Sequence, residues 1–203
     1  MADESLAAHC LEDALSAFRD YKKLAEKAFA QTSDEEFFTA LDEEANSIAV
    51  IIKHMVGNML SRWTDFLTTD GEKPDRERDM EFVVTTKNSR SDSLKEWERG
   101  WACLFAALEP LTPGDFSRKV LIRGQEHTVT QAINRQLTHY AYHIGQIVFL
   151  SKHFRSHEWK SLSIPRNRSS EFNAYLTEKT EEGAPRQGRF DAPQDFIRET
   201  ESK

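Results

Sequence analysis

The segment IAVIIKHMVGNMLSRWTDFL, residues 48–67, constrains the fold of this chain more than any other. Ile48, Val50, Ile51, Ile52, Met55, Met59, Leu60, Trp63 and Phe66 fall on nearly every side of a helix, so little of it is left for water. A helix of that kind has to be central and surrounded. Asn46 and Ser47, both good N-caps, stand where it should begin.

Three amphipathic stripes are available to surround it. Over residues 3–31, Leu11, Leu15, Phe18, Ala25 and Phe29 recur at helical spacings with charges between them. Over residues 94–108, Leu94, Trp97, Trp101, Leu104, Phe105 and Leu108 repeat the pattern; Ser93 with Glu96 reads as a capping box, and Pro110 and Pro113 close the helix. Over residues 130–154, Ile133, Leu137, Tyr140, Ile144 and Val148 make the last stripe, with Thr130 as its cap. Ser33 with Glu36 matches a capping box for a short helical piece. KVLIRGQEHTV, residues 119–129, reads as two short strands around Gly124-Gln125. The expected fold is therefore all-α: a four-helix bundle over residues 1–157, with a short hairpin before its last helix.

Two stretches stand apart from that pattern. Residues 68–90, TTDGEKPDRERDMEFVVTTKNSR, form a long connection of little periodicity, which in a compact domain is usually functional or mobile. Residues 158–203 are expected to be an irregular extension anchored on the bundle by Trp159, Leu162, Ile164 and Phe172. From Thr177 onward apolar residues thin out and GAPRQG is linker-like, so the tail is expected to be loosely held or to clasp a partner chain.

Charge and composition narrow the function classes. A net charge of −7 argues against general nucleic-acid binding, which needs a surplus of Lys and Arg to neutralise phosphates. No apolar run approaches the length of a membrane span, and MADESLAAHC lacks the basic and apolar regions of a signal peptide. Two cysteines, Cys10 and Cys103, make no disulfide framework. A soluble, reduced, cytoplasmic protein acting on a small molecule is expected.

The chemistry is concentrated in histidines. In LTHYAYHIGQI, His139 and His143 are four residues apart and share one helical face with Gln136 and Gln146, while the aliphatic stripe lies opposite. Two imidazoles so placed can point at one ion. His54 is the single histidine of the most apolar segment, and Gly57, Asn58 and Ser61 give its side of the helix a small, polar character. A lone buried histidine is more often a hydrogen-bonded core residue than a ligand. A pair at metal-ligand spacing on a second helix shifts that balance, because bundles assemble sites from facing helices. Cys103 would add a fourth ligand if its helix faced the site. His127, His153 and His157 read as surface residues, and His9 has no assigned role. In RERDMEF, Arg78 is a candidate for recognising an anion or orienting the ligands, against a plain reading as a solvated charged loop; Arg166 and Arg168 carry the same pair of readings.

KHMVGNMLSRWTDFLTTDGEKPDRERDMEF, then LTHYAYHIGQIVFL, then WKSLSIPRNRSSEFN resemble the DinB/YfiT-like superfamily of metalloenzymes, and more narrowly a bacterial branch of it filed as a domain of unknown function. The resemblance spans residues 8–175. It implies a four-helix bundle, often a homodimer, with a divalent metal (Zn, Ni or Fe) held by His54, His139 and His143. Members of the wider superfamily include transferases and isomerases that use a low-molecular-weight thiol as cosubstrate. Asn167 stands where the branch commonly has glycine, and Asn tolerates the left-handed backbone such a turn needs.

Two functional readings follow. In the first, three neutral histidines leave a coordination position open, and the chain is a metal-dependent enzyme for thiol transfer or small-molecule hydrolysis. In the second, it is a non-catalytic dimeric bundle with a structural metal or merely packed histidines. Asn58, Gln136, Gln146, Arg78 and Arg166 are the candidates for lining the pocket or holding the ligands in place.

Overall fold

Ser47 opens the central helix as expected: its hydroxyl accepts the backbone N–H of Val50 at 3.3 Å in a computed structural model that describes residues 2–85, 88–185, 188 and 191–201. This helix, α3 (Ile48–Trp63), follows α1 (Ala2–Phe29) and the single-turn α2 (Asp34–Phe38), and almost all of it is buried. It ends four residues earlier than its apolar pattern suggests. Thr64 leaves the helical conformation and Asp65 turns left-handed at φ 48°, a region Asp enters more readily than most residues. Phe66 is nevertheless buried against the ring of Trp63, so its hydrophobicity belongs to the core and not to the helix.

Among the described residues the chain is mostly helical, with seven α-helices and one two-stranded sheet. α3 packs along α4 (Arg90–Leu108) and against α5 (Val129–Arg155), while α1 packs along α5 and touches α4. Their seam is aromatic. Phe18 of α1, Trp101 of α4 and Tyr140 of α5 stand 5.8–6.4 Å apart, and the indole of Trp63 in α3 donates to the Tyr140 hydroxyl at 3.2 Å. Each of these four side chains is no more than 1 % exposed, so one cluster ties all four long helices together.

The helix starts show where local chemistry overrode the simplest sequence signals. The box at Ser33 and Glu36 forms as read and caps α2. α4 begins one turn before Ser93, because Ser89 accepts the N–H of Asp92 at 3.0 Å while the Ser93 hydroxyl donates back to the Ser89 carbonyl. α5 is capped by Thr128 with Gln131 as its reciprocal partner; Thr130 instead donates to the Phe116 carbonyl. In these two helices a hydroxyl four and two residues before the expected one, respectively, accepts the free N–H.

Strands β1 (Lys119–Ile122) and β2 (Gln125–Thr128) pair antiparallel, with Ile122 opposite Gln125. The turn is Arg123-Gly124, one residue before the expected position, and both residues have positive φ (55° and 72°), as a two-residue hairpin of the primed type demands. Asp70 clasps this turn. Its carboxylate accepts the N–H groups of Arg123 (2.8 Å), Gly124 (2.7 Å) and Glu72 (2.7 Å), joining the long connection to the hairpin. Burial alone would raise the Asp70 pKa, but these three donors outweigh it and hold the carboxyl below its ordinary value.

The region beyond residue 157 departs from expectation. Trp159 and Leu162 do anchor it on the main core, and Asn167 adopts the left-handed turn at φ 63°. It is not irregular throughout, however: α6 (Ser169–Glu181) and α7 (Asp191–Glu201) are helices whose Phe172, Tyr175 and Phe196 build a second, small cluster. Nor is α7 loose, since Phe196 is 1 % exposed and Lys23 of α1 pairs with Asp191. Apolar residues are few here, but the three aromatics sit where two short helices can share them. Within GAPRQG, Arg186 and Gln187 lie outside the described residues. Among the described residues no helix is long and apolar enough to cross a membrane.

Candidate metal centre

His54 lies two turns into α3 on the side facing α5, and His139 and His143 lie one turn apart on α5. Their Nε2 atoms converge. His139 Nε2 is 3.4 Å from that of His54 and 3.0 Å from that of His143. Two nitrogens each about 2.0–2.1 Å from a shared ion, subtending roughly 90–110°, are separated by about the same distances. Among the described residues this trio is the one group of three or more His, Cys, Asp or Glu placed to hold a metal ion.

The protons explain why the trio suits a cation. His54 donates from Nδ1 to Glu81 Oε2 at 2.8 Å, and His143 donates from Nδ1 to Gln146 Oε1 at 2.8 Å. A neutral imidazole carries one proton, so both rings turn a bare lone pair toward His139. His139 Nε2–H can satisfy one of them at most. Three ring nitrogens therefore share no more than one proton, an arrangement a divalent ion satisfies and packing alone does not. Burial, followed by the nearness of His143 and His54, pushes the pKa of His139 down to about 3, and burial lowers that of His143 as well. Both are held in the neutral form that ligates metal.

Glu81 is the residue that sets His54. It comes from a 3-10 turn, Arg78–Phe82, in the long connection, and it is buried. Arg76 grips it with two bonds, Nε to Oε1 at 2.7 Å and Nη2 to Oε2 at 2.9 Å, and reaches Glu72 at 3.1 Å through Nη1. Burial would raise the Glu81 pKa, yet the bonds from His54 and Arg76 prevail and lower it. The carboxylate lies so near α3 that a Cβ on Gly57 would be 2.2 Å from Oε1. Phe82, next along, stacks on the His54 ring with centroids 5.0 Å apart and covers it.

Behind the histidines a second polar group is closed on itself. Asn58 Oδ1 accepts from the Gln136 amide and from Tyr140 OH (3.0 Å), and Gln136 also donates to Tyr140 OH at 3.0 Å. Burial raises the pKa of the Tyr140 hydroxyl, which stays protonated and acts as a donor. In front, a cavity of about 470 Å³ opens beside His54 and His139, lined also by Asn58, Gln136, Tyr142 and five arginines.

The structure thus brings His54, His139, His143, Asn58, Gln136 and Gln146 together, although Gln146 holds His143 and is not among the cavity-lining residues. Arg78 does line the cavity, lying over the Phe82 ring at 5.2 Å; orienting a ligand, the other role open to it, falls to Glu81 and Arg76 instead. Arg166 is exposed and is not among the residues lining this cavity, so the sequence-based expectation is corrected there. Arg168 bonds Glu171 and Thr200. Cys103 is no fourth ligand, since its thiol faces Thr64 at 3.6 Å. His127 contacts the Gln125 carbonyl, His153 stacks on Phe149 and His9 is exposed. Arg62, Arg76, Arg123 and Arg135 were missed as site residues. A charged residue inside the most apolar helix was the one signal that marked Arg62.

A family model described as "Protein of unknown function (DUF1572)" matches residues 5–168, a span that contains the three histidines, Glu81 and Arg76. No curated protein and no solved structure matches the chain significantly.

Proposed function

We propose that the chain, which belongs to the DUF1572 family, is a divalent-metal-dependent enzyme acting on a small molecule, by thiol transfer or by hydrolysis. The observation that carries this reading is the convergence of three Nε2 atoms that share at most one proton. His54, His139 and His143 would hold the ion, and three neutral protein ligands leave a position for substrate. When bound, an ion there supplies Lewis acidity and lowers the pKa of a water or thiol ligand. Glu81 and Gln146 keep the Nδ1 protons in place so that each Nε2 stays a free lone pair. Phe82 shields His54 from bulk water, and the cavity has the size of a small-molecule site.

The same proposal assigns the fold to the DinB/YfiT-like four-helix bundles, supported by one histidine on α3 and an H-x-x-x-H pair on α5. Zn, Ni and Fe all suit imidazole ligands, and a low-molecular-weight thiol is the cosubstrate of the transfer reading. It also places the protein in the cytoplasm, where the free Cys10 and Cys103 stay reduced. A homodimer belongs to the reading too: Tyr142 and Phe149, seven residues apart on α5 and both exposed, offer a face for it, and sedimentation showing only monomer would remove that part.

Metal content and turnover test the core of the proposal together. Wild-type protein equilibrated with zinc, nickel or ferrous iron and then desalted should retain about one equivalent of an ion, and His139→Ala should lose it. A mutant with unchanged metal content would sink the site. Bound metal with no turnover on panels of thiol acceptors and esters would sink the enzymatic part.

A further inference from the structure

The cavity beside the histidines is walled by Arg62, Arg76, Arg78, Arg123 and Arg135, and no carboxylate is among its lining residues. In a chain of net charge −7 this is a local reversal of sign, not a reflection of composition. Some of the charge is already answered. Arg76 is taken up by Glu81 and Glu72, Arg123 reaches Glu72 at 3.4 Å, and Arg78 stands 3.8 Å from Asp79. Arg62 and Arg135 are not answered. Among the described residues neither guanidinium makes a hydrogen bond or an ion pair.

Arg62 is the decisive one. Its side chain comes from the central helix and is only 4 % exposed, and its Nε and Nη1 are buried with no acceptor. Arginine does not shed its proton in proteins, so this is a buried cation that Glu72 and Asp70 attract only at a distance and that lacks hydrogen-bond acceptors, a costly arrangement for a fold to keep. The chain makes room for it: a Cβ at Gly71 would be 2.7 Å from Nη1, and Gly71 is pinned by bonds to Ser61 and Leu121. A guanidinium edge offers two parallel N–H groups, which match the two oxygens of a carboxylate or phosphate.

We propose that this cavity binds a small ligand bearing an oxyanion, a carboxylate or a phosphate, and that Arg62 recognises it with Arg135 at the rim. The assignment rests on the metal-centre reading only for what lies next to the anion. It deepens that reading by naming the substrate class: an anionic small molecule whose charged end meets Arg62 while its reacting end faces the histidines. The charge of Arg62 is then answered by substrate where the side chain borders the cavity.

Thermal unfolding of the zinc-equilibrated full chain tests this, with inorganic phosphate, succinate or chloride added at equal ionic strength. Phosphate or succinate should raise the wild-type midpoint saturably, by about 5 °C or more at roughly a hundredfold of its dissociation constant. Which of the two acts says whether the ligand is a phosphate or a carboxylate. Arg62→Met, which removes the unpaired charge at similar volume, should unfold at a higher midpoint than wild type without anion and lose the anion-dependent rise. Wild type unresponsive to both anions beyond chloride overturns the proposal. So does an undiminished rise in Arg62→Met or, should that variant not fold, in Arg62→Lys, which keeps charge but not the fork. Zinc content of the same samples separates the two readings. Zinc-bound wild type that ignores both anions sinks the anion site alone, whereas an anion response that needs Arg62 in zinc-free protein upholds it and sinks the metal centre alone.

Discussion

Three histidines declare themselves through spacing and surroundings, but what would make them a metal site is a residue the spacing does not reveal. His139 and His143 are legible because i and i+4 share a helix face, and His54 because a titratable group in an apolar helix needs a partner. That partner, Glu81, is 27 residues away through an irregular connection, and no periodicity ties the two positions together. Flanked by Met80 and Phe82 in a string of charges, it resembles its solvated neighbours until the fold buries it between His54 and Arg76. Its importance can be measured. Glu81→Gln keeps the shape but removes the charge that Arg76 and the Nδ1–H of His54 both use. Zinc affinity, read by competition with a chromophoric chelator, should fall about 10- to 100-fold, the usual consequence of losing a carboxylate behind a metal-bound imidazole. An affinity equal to that of wild type would mean that Glu81 does not hold His54 for the metal.

Elements were easier to read than their ends. Four amphipathic or apolar helices follow from hydrophobic period, which averages over many residues, whereas a cap depends on which of several nearby hydroxyls has the right angle. Ser89 and Thr128 cap these helices, while the Ser93 and Thr130 hydroxyls donate to the Ser89 and Phe116 carbonyls. The central helix carries one feature that its period cannot explain, a glycine at position 57 well inside it. Taken as a helix position, Gly57→Ala should stabilise the chain by about 0.8–1 kcal/mol. Taken as part of the site, the added Cβ would be 2.2 Å from Glu81 Oε1 and 2.6 Å from its Cδ, and the carboxylate would have to leave His54 and Arg76. Three charge-assisted bonds outweigh one increment of helix propensity. The expected outcome is a variant no more stable than wild type, with zinc affinity down about tenfold or more. Gly57→Ala that gains the full propensity increment and binds zinc normally would contradict the packing of Glu81 on α3.

At the scale of the molecule, the chain divides unevenly between a large core and a small one. The main cluster runs through α1, α3, α4, α5, the hairpin and as far as Leu162, while Phe172, Tyr175, Ala192 and Phe196 form the separate cluster of α6 and α7. The family match ends at residue 168, at the start of α6. Low apolar content made these last helices unreadable in advance, because a two-helix cluster of three aromatics leaves no long periodic stripe. Among the described residues few bonds join them to the rest: Lys23 with Asp191, both partly exposed, the Gln194 amide with the Ser161 carbonyl at 3.0 Å, and Arg168 with Glu171 and Thr200 at 2.9 Å each. Exposed pairs of that kind contribute little. A chain ending at Arg168 should therefore keep a single cooperative transition, with a midpoint lowered by no more than about 4 °C, and take up zinc as the full chain does. Differential scanning calorimetry and metal analysis would check it side by side. A larger fall would mean that the main core leans on α6 and α7. A stable truncated chain that takes up less zinc than the full chain would instead place part of the candidate site's support in the C-terminal helices, where none of the three histidines or their side-chain hydrogen-bond partners lies.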